Sequence, residues 1–133
     1  FVPANVINPD EMPNHNFPMI LTTGRQLEHW HTGAMTRRAS NLDAIEPEAS
    51  VSLSPIDVSK KGLKAGEYIN VLTKRGSIKI KVREDRAIPE GVLFIPFCYK
   101  EAAANLLTNP ALDPYGKIPE FKYCAAKIEI VGT

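Results

Sequence analysis

Apolar residues along this 133-residue chain fall into short runs, most with a two-residue period, each cut off by glycine or proline. A period of two is the signature of strands, because successive side chains point to opposite faces. The clearest pair is Ile69, Val71 and Thr73, then Ile78, Ile80 and Val82, flanking "KRGS". That arrangement predicts a β-hairpin with Lys79 and Lys81 on its opposite face. "EASVSLSP" alternates Val51 and Leu53 with Ser50 and Ser52, which predicts a half-buried strand. "PMILTTG" predicts a buried strand that stops at Gly24. "VLFIPFCY" is too apolar to face water on either side, and "FKYCAAKIEIV" closes the chain as a last strand.

Between the strands lie turn and helix signals. Ser54 or Asp57 caps a short helix in "SPIDVSKKG", with Gly62 just past its end. Gly66 supplies a positive-φ turn position. "KEAAANLLT" predicts a helix of about two turns, stopped by Asn109-Pro110. The sum is six or seven strands and two or so short helices: a mainly β chain suited to a small closed barrel. Residues 1–17, rich in Pro and Asn and without periodicity, read as a linker from an upstream domain, and residues 18–133 as one domain. The chain opens on Phe1, so a piece of a longer polypeptide is expected.

Composition changes this picture little. Hydrophobic content of 44% supports a core, and a net charge of +1 marks neither a nucleic-acid nor a membrane-surface partner. No apolar run approaches a membrane span and no signal peptide is visible, so the expected location is cytoplasmic. The two cysteines, Cys98 and Cys124, sit inside apolar runs and read as buried small hydrophobes.

Candidate chemistry concentrates in "TTGRQLEHWHTGAMTRR", Thr22 to Arg38. His29 and His31 have the spacing of metal ligands on a strand, yet no further ligands accompany them, and no metal site is expected. No nucleophile elbow accompanies the histidines, which argues against a self-contained hydrolase. An anion-binding loop fits better. Gly24 at a strand end lets a ligand approach the backbone, and Arg25 offers a planar fork matched to phosphate. His29 can donate to a phosphate or ring heteroatom, and Trp30 can pack on a flat ring. The alternative is structural: Arg25 pairs with Glu28 or another carboxylate, and Trp30 is core. Asn105, which both donates and accepts, can read a pterin or purine edge, or can merely cap backbone groups.

The blocks "LTTGRQLEHWHTGAMTRR" and "NLLTNPALDPYGKIPEFKYCAAKIEI", with "LSPIDVSKKGLKAGEYINVLTKRGSIKIKV" between them, closely resemble the C-terminal region of molybdopterin-dependent oxidoreductases. The catalytic subunit of formate dehydrogenases is the nearest-looking group, with nitrate reductases as relatives. The resemblance spans Pro18 to Val131. It implies a six-stranded double-psi β-barrel that binds bis-molybdopterin guanine dinucleotide carrying molybdenum or tungsten. It also implies that the metal ligand, iron–sulfur cluster and most of the substrate channel belong to upstream domains of the same polypeptide, so that this chain alone is not catalytically complete.

By position, the resemblance places Thr23, Gly24 and Arg25 at the cofactor's phosphate and pterin region. Gln26 matches a polar or acidic position, His29 a cofactor-contacting histidine, and His31, Thr32 and Gly33 the following loop. Phe97 stands where some relatives have tyrosine. Asn105 would bond the pterin, and Lys122 matches a lysine near the pyrophosphate. Arg37 and Arg38 have no role in this reading beyond facing an upstream domain. Two other functions stay open: the same domain of a nitrate reductase-like enzyme, and a cofactor-free β-barrel interaction module.

Overall fold

The computed structural model describes residues 1–3 and 5–131. Six strands form a closed barrel: β1 (Met19–Gly24), β2 (Ser50–Leu53), β3 (Tyr68–Leu72), β4 (Ser77–Glu84), β5 (Val92–Pro96) and β6 (Cys124–Ile130). Around the ring the order is β1-β5-β2-β4-β3-β6. β1 pairs with β5 and β2 with β4 in parallel, and the remaining pairs are antiparallel. Exchanging β1, β2 and β3 for β4, β5 and β6 leaves this ring unchanged. The barrel is therefore two like halves, each lending a strand to the other's parallel pair, as expected for a double-psi barrel.

The inward positions are those the alternation marks. Leu21, Val51, Leu53, Ile69, Val71, Leu93 and Ile95 are fully buried, joined by Ile78, Ile80 and Val82. The β3–β4 hairpin has the expected register, with Ile69 opposite Ile80 and Val71 opposite Ile78. β6 contributes the small residues Cys124, Ala125 and Ala126, all buried. Burial pushes both thiols, Cys98 and Cys124, above their ordinary range, so they stay protonated and pack as hydrophobes.

Among the described residues there are two short α-helices, α1 (Ser40–Asp43) and α2 (Pro55–Lys60). In α2, Ser54 Oγ accepts from the Asp57 amide at 3.0 Å, Pro55 occupies the first turn, and Gly62 follows at φ +64°. Asp57 in turn accepts from the Gly91 amide at 2.8 Å, tying the helix to the approach of β5.

Two expectations are corrected. β2 is buried on both faces, not one. Its outward Ser50 and Ser52 lie opposite Lys81, Arg83 and Phe94, longer neighbours that shelter the short hydroxyl side chains. The helix expected in "KEAAANLLT" is two 3-10 turns, Lys100–Ala102 and Ala104–Leu106, parted by an extended Ala103. Both Ala102 and Ala104 are buried, and residues two apart cannot share one face of an α-helix, so the chain breaks between them.

The N-terminal segment is fastened to the barrel from Asp10 onward. Glu11 is only 8% exposed; its carboxylate takes two bonds from Arg75, at 2.8 and 2.9 Å, and one from the Ala125 amide at 3.0 Å. The Arg75 guanidinium holds the Glu11 carboxyl below its ordinary value of 4.5. A carboxyl depressed in the folded state contributes stability that is present above the unfolded value and lost as pH falls through the folded one. Unfolding midpoints of the wild-type chain should therefore drop on acidification below that value, and Glu11→Gln should flatten this acid limb. Urea titrations at stepped pH check it.

Gly24 is required for packing rather than for turn geometry. A Cβ there would sit 2.4 Å from Phe94 Cε2. Gly24→Ala should destabilise the chain by about 1–3 kcal/mol through overpacking, with partial rescue by Phe94→Leu. Thermal melts of the single and double variants test the pairing.

Candidate functional site

β1 and β5 run parallel and end at the same level, with Gly24 opposite Pro96. The segments that follow them, starting at Arg25 and Phe97, therefore leave from one end of the barrel. β6 runs antiparallel to β1 and starts with Cys124 opposite Leu21, so Phe121 and Lys122, just before it, reach the same end. The 3-10 turn Ala104–Leu106 brings Asn105 to the rim. These segments enclose a cleft of about 580 Å³. Thr23, Arg25, His31 and Thr32 reach it from the end of β1 and the loop that follows, and Phe97, Asn105, Phe121 and Lys122 from the segments after β5 and before β6.

Several contacts set the walls. Thr23 Oγ1 donates to the Phe121 carbonyl at 2.9 Å, and Lys122 Nζ donates to the Thr23 carbonyl at 2.5 Å. Lys122 Nζ also lies 5.8 Å from the centre of the Phe97 ring. His31 packs its ring 5.3 Å from Phe97 at a tilt of 58°. It does so from a left-handed backbone at φ +50°, which costs a non-glycine residue about 1–2 kcal/mol. Arg25 is exposed and has no hydrogen bond or ion pair among the described residues. It does not pair with Glu28, whose carboxylate instead takes a 2.6 Å bond from Gln26 that holds its carboxyl below the usual range.

Seven of the ten expected cofactor-binding residues are therefore brought together: Thr23, Arg25, His31, Thr32, Phe97, Asn105 and Lys122. Phe121 joins them unforeseen; its only signal in the sequence was its place beside Lys122. Gly24, Gln26 and His29 do not line the cleft. Gly24 is covered by Phe94, and Gln26 turns to Glu28.

His29 stands apart from the other expected site residues: it is 3% exposed and does not line the cleft. Its Nε2 donates to the Glu46 carbonyl at 2.8 Å, and its Nδ1 lies 3.1 Å from Thr36 Oγ1. Thr36 Oγ1 also accepts from the Trp30 amide at 3.0 Å. Both ring nitrogens are thus used inside the protein. Tyr99 stacks edge-on at 5.6 Å and donates to the same Glu46 carbonyl at 2.9 Å. Burial pushes the Tyr99 phenol far up, so it remains a donor.

Arg37 belongs to the same scaffold. It pairs with Asp43 at 3.0 Å and Glu101 at 2.7 Å, donates to the Pro47 carbonyl at 2.9 Å and covers the Tyr99 ring at 4.7 Å. Its role is internal, contrary to the expectation that it faces another domain. Gly33, at φ +75°, lets the loop press onto Cys98: a Cβ would lie 2.8 Å from the Cys98 carbonyl. Trp30 is 64% exposed, which rules out the core alternative, and it does not line the cleft. Arg38 and Lys100 flank a smaller cleft of about 340 Å³ that shares Thr32 with the first.

The donor set suits an anionic ligand with flat rings. Arg25 and Lys122 supply positive charge, His31 and Asn105 supply groups for ring edges, and Phe97 and Phe121 supply apolar faces. Fold and cleft together define a class: a closed β-barrel with, at one end, a cleft whose side chains suit a phosphate-bearing heterocycle. The family described as Molydopterin dinucleotide binding domain matches residues 19–125. The chain belongs to this family of molybdopterin dinucleotide-binding domains.

Among curated relatives, the chain is 47% identical over 122 residues to F420-dependent formate dehydrogenase 1 subunit alpha of Methanococcus maripaludis. It is 45% identical over 119 residues to F420-dependent formate dehydrogenase subunit alpha of Methanocaldococcus jannaschii. These matches cover 92% and 90% of the chain but only 18% of each relative, so the chain spans less than a fifth of their length. Among solved structures, acetylene hydratase from Pelobacter acetylenicus superimposes with a TM-score of 0.78 at 24% identity, over 87% of this chain and 19% of that one. At that identity the likeness concerns the fold. Among the described residues no helix is long and apolar enough to cross a membrane, and no cluster of metal-ligating side chains is present.

His29→Phe keeps the ring against Tyr99 but removes both polar contacts. Two lost buried hydrogen bonds predict a destabilisation of about 2 kcal/mol. Chemical denaturation of the variant measures it, and an unchanged midpoint would show that the ring nitrogens hold nothing.

Proposed function

We propose that the chain binds and positions molybdopterin guanine dinucleotide as the C-terminal domain of a formate dehydrogenase-like oxidoreductase. The observation that carries this reading is the exposed, unpartnered Arg25 sharing one cleft with Lys122, Asn105 and two phenylalanine faces. The names of the relatives, which are formate dehydrogenase alpha subunits, support formate over nitrate as substrate. Their much greater length supports upstream domains in the same polypeptide, carrying the metal ligand and the substrate channel. When bound, the cofactor's molybdenum or tungsten supplies two-electron redox chemistry for the oxidation of formate.

The residues of this chain bind and orient. Arg25 clamps a phosphate through its planar fork, and Lys122 adds charge near the pyrophosphate. Asn105 donates to and accepts from a pterin edge, and Thr32 and His31 approach the ligand from the facing loop. Phe97 and Phe121 exclude water along the ring faces. His29 serves the site indirectly, by holding the loop that carries His31 and Thr32. The free, buried Cys98 and Cys124 suit a cytoplasmic setting.

The test is Arg25→Ala in the full-length enzyme, with bound metal and guanine nucleotide both quantified. Losing a charge-assisted bidentate contact of about 1.5–3 kcal/mol should weaken cofactor retention by about one to two orders of magnitude. Unchanged content of both would remove Arg25 from the site.

A further inference from the structure

We propose that Glu11 is a positioning residue for the cleft, acting through Arg75 on the turn that carries Asn105. This rests on the reading that Asn105 touches the cofactor. The Asn105 side chain has no hydrogen-bond partner among the described residues, so its placement is inherited from its backbone. That backbone is a single 3-10 turn with no side-chain cap, closed by Leu106 N to the Ala103 carbonyl at 3.0 Å and Leu107 N to the Ala104 carbonyl at 2.9 Å. A turn this short does not hold its own position.

What fixes it comes from outside. Arg75 Nε donates to the Leu107 carbonyl at 2.8 Å, two residues beyond Asn105. The other two guanidinium nitrogens grip Glu11 at 2.8 and 2.9 Å. A Cβ on neighbouring Gly76 would come within 3.2 Å of the Leu106 carbonyl, so the hairpin turn backs the same segment closely. Glu11 Oε1 also accepts from the Ala125 amide at 3.0 Å, three residues beyond Lys122. The buried carboxylate thus sits between the Asn105 turn, which it reaches through Arg75, and the start of β6. Fastening the N-terminal segment alone would not require Arg75 to reach Leu107. With Glu11 neutralised, the guanidinium loses the partner that orients its fork, and the Leu107 carbonyl keeps only the weaker Cys124 Sγ contact at 3.6 Å as its outside anchor.

The experiment is a double-mutant cycle in the full-length enzyme, with guanine nucleotide retained after incubation below the unfolding midpoint as the readout. Asn105→Ala alone should speed nucleotide release. Glu11→Gln should speed it about fivefold in the wild-type background and leave it unchanged in the Asn105→Ala background. Arg75→Lys, which keeps the charge but loses the fork, should behave as Glu11→Gln does and covers the case in which that variant does not fold. The same factor in both backgrounds, or a lowered midpoint without faster release, overturns the positioning role and leaves the cofactor reading intact. If Asn105→Ala has no effect on release, the contact at Asn105 falls, and this role with it.

Discussion

The parallel pairing of β1 with β5 is the constraint on which the cleft depends. Parallel strands point the same way, so the segments following Gly24 and Pro96 must leave from one end of the barrel. Closure of the ring fixes β6 on the other side of β1, in antiparallel sense, and thereby brings its entry residues to that same end. Residues nearly a hundred positions apart, Thr23 and Lys122, then meet across 2.5 Å. The close approach of Gly24 and Phe94 belongs to the same constraint, because any larger residue at the end of β1 would have to displace the Phe94 ring.

Around this frame the protein spends its buried polar groups on holding loops. His29, Thr36, Glu46 and Tyr99 form one closed set of hydrogen bonds, and Arg37 covers it with two carboxylates and a carbonyl. Glu11 and Arg75 do the same for the Asn105 turn and the start of β6. The His29 ring nitrogens, the Tyr99 hydroxyl and the Glu11 carboxylate each have a partner, as the cost of an unmet buried hydrogen bond demands. The exposed cation Arg25 stands apart from this scaffolding, with no hydrogen bond or ion pair among the described residues. A side chain that needs no internal partner is free to meet a ligand, and one whose valences are filled is not. That contrast separates Arg25 from His29, although the two lie four residues apart on one loop.

The strands were legible because alternation follows directly from the pleat. Ile69, Val71, Ile78 and Ile80 could be placed inside the barrel from spacing alone. The cap at Ser54 and the turns at Gly62 and Gly66 were legible because each needs a particular side chain or backbone angle. The resemblance to molybdopterin enzymes added the barrel type and most of the cleft, since matching residues at matching spacing carry a shared architecture. What failed was burial on the outer faces and local geometry under tertiary pressure. Ser50 and Ser52 are covered by neighbours across the sheet, which no local pattern encodes. The Ala-rich segment that reads as helix is broken at Ala103 so that Ala102 and Ala104 both reach the core.

The sequence by itself determined which segments are strands, which face of each is apolar, and the family to which the chain belongs. Local backbone sterics and side-chain polarity act within a few residues, so they can be read along the chain. Only the tertiary structure decided which polar residues serve the ligand and which serve the fold. His29 and Arg25 look equally fit for an anion in the sequence, because each is a nitrogen donor beside a glycine-ended strand. The difference lies in partners far along the chain, the Glu46 carbonyl for His29 and none for Arg25 among the described residues. Likewise Glu11, in a stretch without pattern, becomes a buried anchor because barrel closure brings Arg75 and Ala125 to it. Hydrogen-bond satisfaction is a property of the folded neighbourhood, and the neighbourhood exists only once the ring is closed.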